Sequence, residues 1–120
     1  MRFGILESRR LLLVVGGGLL MVGAAAMSMP AFAADGPTIA RANACMGCHA
    51  VDRKLVGPSF QQIAEKYKGV PGAQAKLMLK VKDGGSAVWG PIPMPSHPRM
   101  SDTDINTVVG WVLAGAPGGK

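Results

Sequence analysis

Cys45-Met46-Gly47-Cys48-His49 contains both cysteines of the 120-residue chain and one of its two histidines. Residues three apart at a helix end share a face, so the two thiols point the same way. At that spacing they can bond the two vinyl groups of a single porphyrin. His49 follows directly and can turn its imidazole beneath the ring to meet iron. The stretch predicts one covalent haem c, attached at Cys45 and Cys48, with His49 as an axial ligand.

Other uses of the motif fit less well. A redox-active Cys-x-x-Cys belongs in a βαβ setting, and no segment here alternates as a strand would. A structural zinc needs four protein ligands, yet His97 is the only other histidine and there is no third cysteine. A short disulfide remains conceivable without haem.

One histidine leaves a second axial position to fill, and the candidates are Met46, Met78, Met94, Met100 and His97. Met46 lies inside the attachment motif. Met78, on a helical stretch, reads as a gap-filling core residue. Met94 sits in Gly90-Pro91-Ile92-Pro93-Met94-Pro95. So stiff a loop holds a weak thioether in place at little ordering cost. Met94 is favoured on these grounds, with Met100 and His97 as alternatives.

Working outward, the pattern is all-α. Asp35-Gly36-Pro37 carries helix-start signals, and a first helix is expected from Thr38 to about Cys48. Val51–Gly57 reads as a loop. A second helix opens at Pro58 and runs to about Lys68, with Phe60, Ile63, Ala64 and Tyr67 on one face. Ala73–Lys82 is the third, with Leu77, Val81 and either Ala73 or Lys80 inward, stopped by Asp83-Gly84-Gly85. Four prolines between Ala87 and Met100 exclude a regular element there. Ser101 caps the last helix in a capping-box arrangement with Asp104, and Ile105, Val108, Val109, Val112 and Leu113 form its apolar stripe beside Trp111.

Residues 1–33 read as a secretory signal. Met1–Arg10 is basic, Leu11–Ala26 is apolar, and Ala31-Phe32-Ala33 fits a small-x-small cleavage site. The expected product is an exported, periplasmic domain, residues 34–120. An uncleaved anchor is the alternative, because Leu11–Ala34 is uncharged and nearly long enough to span a bilayer. Ser8-Arg9-Arg10 resembles a twin-arginine signal. The general secretory route fits better, since haem c is attached after export.

Removing Arg2, Arg9, Arg10 and Glu7 with that signal leaves ten basic and six acidic residues, net +4. Such a balance suits an acidic partner or surface. It is too dispersed for nucleic acid. Only Phe60, Tyr67, Trp89 and Trp111 are aromatic after the signal. A domain this small buries little core and commonly needs a staple, which a large apolar cofactor supplies.

These residues resemble the small bacterial class I cytochromes c, of the cytochrome c-551 type. The landmarks are Cys45–Ala50, Val56-Gly57-Pro58, the Lys66-Tyr67 helix end, Val88-Trp89-Gly90-Pro91-Ile92-Pro93-Met94-Pro95 and Trp111-Val112-Leu113. The resemblance covers nearly all of residues 34–120 and implies about four helices wrapped around one haem. It also implies that Met94 is the second axial ligand and that the Pro58 carbonyl accepts the Nδ1–H of His49. The Trp89 indole and Lys80 would meet a haem propionate. Two positions depart from the family pattern. His97 stands where an asparagine often donates to the methionine sulfur. Thr38–Asn43 offers no aromatic to the last helix, although Trp111 can pack on Ile39 or Ala42.

The expected function is one-electron transfer between respiratory complexes by a soluble monomer. It would dock redox partners through an exposed haem edge ringed by lysines such as Lys54, Lys66 or Lys82. The alternatives are a haem enzyme or gas-binding protein with a labile sixth ligand, and a carrier tethered by its N-terminal segment. Nothing in the sequence supplies a distal acid–base pair, which weighs against an enzyme.

Overall fold

The computed structural model describes residues 33–120, and apart from Ala33 the signal read in residues 1–33 lies outside the described residues. Four α-helices and one 3₁₀ turn follow in order: α1 (Gly36–Ala42), the turn Cys45–Gly47, α2 (Phe60–Tyr67), α3 (Ala73–Asp83) and α4 (Asp102–Leu113). Among the described residues the only strand-like pairings are two isolated bridges. Among the described residues no helix is long and apolar enough to cross a membrane.

The helices begin where capping chemistry allows. The Asp35 carboxylate accepts the Thr38 N–H at 3.0 Å, and Pro37 sits in the first turn of α1. The Thr38 hydrogen bonding holds the Asp35 carboxyl below its ordinary value. Ser101 Oγ accepts the Asp104 N–H at 3.0 Å. Asp104 supplies no reciprocal bond. The full capping box forms at α2 instead, where Ser59 Oγ takes the Gln62 N–H (3.0 Å) and Gln62 Oε1 takes the Ser59 N–H (2.9 Å). That box moves the start of α2 from the expected Pro58 to Phe60.

The first helix stops earlier than its composition suggests. It ends at Ala42, the Asn43 side chain donates back to Ile39 O at 2.9 Å, and Ala44 takes a left-handed φ of 58°. The chain then re-enters as the tight turn Cys45–Gly47. A straight helix to Cys48 would carry the motif on along the α1 axis. The break lets His49 turn inward.

α4 is the hub, with α1, α2 and α3 each packed against it. Its Ile105, Val108, Val109 and Val112 are buried, as the stripe predicted. Each contributes about 1.5–3 kcal/mol of burial. Ile39, Ala40 and Met100 join the first three in one cluster. Val51, Phe60, Val112 and Ala116 form the other. Trp111 bridges them, edge-on to Phe60 at 5.2 Å. It seats on the bare backbone of Gly36, where a Cβ would overlap its own Cβ and Cγ. Gly36 therefore replaces the missing first-helix aromatic: the indole comes to α1, rather than an α1 ring coming to α4. The tail closes over that indole, whose N–H donates to Pro117 O at 3.0 Å. Lys120 Nζ reaches Asp52 at 2.7 Å.

Candidate functional site

Between α2, α3 and the proline-rich loop lies a cleft of about 500 Å³, within the range typical of ligand sites. Its walls are mainly apolar: Val56, Pro58, Phe60 and Ile63 on one side, Leu77, Val81 and Ile92 on the other, with Val108, Val109 and Val112 behind. Cys45, Cys48, His49, Met94, Trp89 and Lys80 all line it. The residues that the sequence reading favoured as haem contacts therefore border one cavity.

His49 is 8% exposed and firmly oriented. Its Nδ1 lies 2.6 Å from the Pro58 carbonyl oxygen. A carbonyl only accepts, so Nδ1 is the donor in this bond and Nε2 is the nitrogen left for a metal. Phe60 stacks beneath the ring at 5.3 Å and 21°. Gly57 passes so close that a Cβ there would come within 2.7 Å of Cε1. The loop is tied back by the Gly57 N–H to Cys48 O at 2.8 Å and the Phe60 N–H to Ala50 O at 2.9 Å.

The two thiols are free and half-buried. Burial pushes the Cys45 thiol above its ordinary value. They form no disulfide. Among the described residues no three His, Cys, Asp or Glu side chains gather as a metal site would require.

The other axial candidates lie away from the cleft lining. Met100 is buried in the α1–α4 core, and Met46 and Met78 pack against core clusters. His97 does not line the cleft; its backbone N–H bonds Val81 O (3.0 Å) and Lys82 O (3.2 Å) behind the loop. Among the described residues Met94 is the one methionine on the cleft wall. Its backbone pairs with Gly85 in both directions, at 2.9 and 3.0 Å. Gly84, at φ 73°, lets that strand pass, since a Cβ there would overlap Met94 O.

Lysines distribute unevenly. Lys54 and Lys80 line the cleft. Lys82, expected on the docking rim, instead spans to α4, donating to Met100 O (3.1 Å) and pairing with Asp102 (3.0 Å). Lys66 lies over the Trp89 ring. Leu55, Val56, Val88, Trp89 and Ile92 leave an exposed apolar rim. Among the described residues no Asp or Glu lines the cleft, and its only histidine is His49. A second, more open hollow of about 560 Å³, lined by Gln61, Glu65, Lys68 and Gly115, gathers no ligating pair.

The donor set suits a metalloporphyrin. A slot walled by apolar side chains carries a thiol pair, an imidazole whose Nδ1 is engaged by a carbonyl, and a thioether, with a lysine and an indole also on its lining.

The profile of the cytochrome c family matches residues 33–115. Cytochrome c-551 of Stutzerimonas stutzeri is 41% identical over 96 residues, covering 80% of this chain and 91% of the relative. Cytochrome c-551 of Pseudomonas aeruginosa is 40% identical over 88 residues, covering 73% and 84%. The crystal structure of Nitrosomonas europaea cytochrome c552 superposes with a TM-score of 0.63 at 42% identity, over 64% of this chain and 95% of that one.

Proposed function

The chain belongs to the cytochrome c family, as a class I protein of the c-551 type that carries one covalent haem c, and from that premise we propose a one-electron shuttle with His49 and Met94 as the axial ligands. Family membership makes it an electron carrier that works with redox partner proteins, rather than an enzyme. In the proposal Cys45 and Cys48 hold the haem by thioether bonds. The observation that carries the ligand assignment is that Met94, alone among the methionines weighed, shares the cleft with His49.

The bound haem would supply a ferrous–ferric couple. The chain's own residues set the conditions for it. Pro58 fixes the His49 ring and raises its basicity. A thioether favours the reduced iron relative to a second imidazole, which raises the potential. The apolar walls exclude water, so little rearranges when charge changes. Trp89 and Lys80, at the mouth, are assigned to the propionates.

Partners would dock on the rim of Leu55, Val56, Val88 and Ile92, with Lys54 and Lys80 close by. The proposal includes export on the signal of residues 1–33, with a soluble, monomeric 34–120 domain passing electrons between respiratory complexes in the periplasm.

Spectra of the oxidised and reduced protein with a midpoint titration test this reading. The expected result is a red-edge charge-transfer band in the oxidised state and no rapid CO binding in the reduced state. A missing band together with fast CO binding would overturn the Met94 assignment. N-terminal sequencing of protein recovered from the periplasm should begin near Ala34, and a start at Met1 would overturn the cleaved signal.

A further inference from the structure

We propose that Lys66 is a positioning residue, whose ammonium, resting on the Trp89 indole, pins the Gly85–Met94 loop to α2 and so keeps Met94 in the cleft. The inference rests on the His49/Met94 reading above.

The loop is closed at its base and stiff along its length. The paired bonds between Gly85 and Met94 join its two ends beside the last turn of α3, and the Ala87 N–H to Gly90 O bond (2.8 Å) tightens its interior. Pro91, Pro93 and Pro95 fix φ and remove donors, so Trp89 and Met94 move together. Ala87 is held at φ 81°, a conformation alanine avoids. A strained loop relaxes unless its tip is anchored. Yet the tip is largely solvent-facing, with Trp89 41% and Ile92 63% exposed.

Lys66 reaches that tip from the far wall. Its Nζ lies 5.2 Å from the centroid of the Trp89 ring, inside the ~6 Å range of cation–π attraction. Lys82 and Lys120 have carboxylate partners, whereas Lys66 makes no ion pair among the described residues. α2 also carries Phe60, stacked on His49. One helix thus braces both ligand-bearing segments, Phe60 at its first turn against the imidazole and Lys66 at its last turn against the methionine loop. Losing an exposed cation–π contact corresponds to about a two- to fivefold change in an equilibrium or rate.

Imidazole binding to the oxidised holoprotein, followed at saturating imidazole, reads the rate at which Met94 leaves the iron. Lys66→Ala should raise that limiting rate about two- to fivefold, and Lys66→Arg should restore the wild-type value. In a Trp89→Leu background, Lys66→Ala should add nothing. A wild-type rate in Lys66→Ala, or an undiminished effect without the indole, overturns the latch. The red-edge band separates the two ideas. Wild-type protein without it overturns the ligand reading and the latch together, whereas a band with unchanged rates overturns the latch alone.

Discussion

The Pro58 carbonyl accepts the Nδ1–H of His49 at 2.6 Å, and the residue before that proline has no side chain to crowd the ring. The two facts belong together. A loop close enough to bond the imidazole passes within van der Waals reach of it, and only glycine fits at position 57.

Gly57→Ala should therefore press first on the His49 ring. A Cβ would lie 2.7 Å from His49 Cε1 and 3.0 Å from Nδ1. The ring must tilt off Pro58 or the loop must lift. Overpacking of this kind costs about 1–3 kcal/mol. The expected outcome is lower thermal stability of the holoprotein and a higher midpoint potential, because a weaker Nδ1–H bond leaves the imidazole less basic and less able to stabilise oxidised iron. An unchanged potential would show that the Pro58 bond does not tune the ligand.

Gly36→Ala should loosen α1 from α4. The new Cβ would overlap Cβ and Cγ of Trp111 and come within 2.9 Å of Cδ2. Because Trp111 Cβ is itself in the way, the helices must separate, at a cost of about 1–3 kcal/mol in denaturant unfolding. Trimming the ring with Trp111→Ala should not rescue Gly36→Ala. A double variant as stable as Trp111→Ala alone would contradict this seating.

Acid should release the tail. The Lys120 ammonium, hydrogen-bonded at 2.7 Å, holds the Asp52 carboxyl below its ordinary value of 3.8. A carboxyl depressed in the folded state stabilises fully above the unfolded value and loses that contribution as pH falls through the folded one. The pair is solvent-exposed, so the effect is small. The melting-temperature gap between wild type and Asp52→Asn should be constant above about pH 5 and close as pH drops below 3.8. A gap that widens in acid would mean the charge is not what Asp52 contributes.

What the sequence made legible was chemistry carried by short motifs. Cys45, Cys48 and His49 declare themselves by spacing, and the prolines around Met94 by their constraint on φ. The helix starts at Asp35 and Ser101 follow local capping rules. The box at Ser59 was equally local: serine followed three residues later by glutamine was there to be read, but Pro58 is the louder start signal. The end of α1 was not local. Ala44 is an excellent helix former, yet it takes a left-handed φ of 58° where the chain leaves α1 for the segment that carries His49 to Pro58. The contacts of Gly36 with Trp111, Lys66 with Trp89 and Lys120 with Asp52 join residues far apart in sequence. No periodicity encodes them, so they emerge only once α4 has gathered the other helices.

Gly84→Ala should free Met94 more than any change in the cleft wall. Gly84 caps the end of α3 at φ 73° and ψ −154°, a region essentially reserved for glycine that costs any other residue about 1–3 kcal/mol. The added Cβ would also overlap Met94 O and lie 2.8 Å from Ser96 N. Backbone atoms give way less readily than side-chain tips, so the Met94 strand must move off α3 and strain its bonds to Gly85. The oxidised holoprotein should lose most of its red-edge band and bind imidazole at least about tenfold more readily, the equivalent of 1.4 kcal/mol or more. Gly85→Ala is the contrast: its nearest neighbour is the flexible Lys80 Nζ at 3.0 Å, so only the backbone penalty at φ 119° applies. Gly84→Ala with an intact band, or a weaker effect than Gly85→Ala, would show that Met94 is held by something other than its packing on the end of α3.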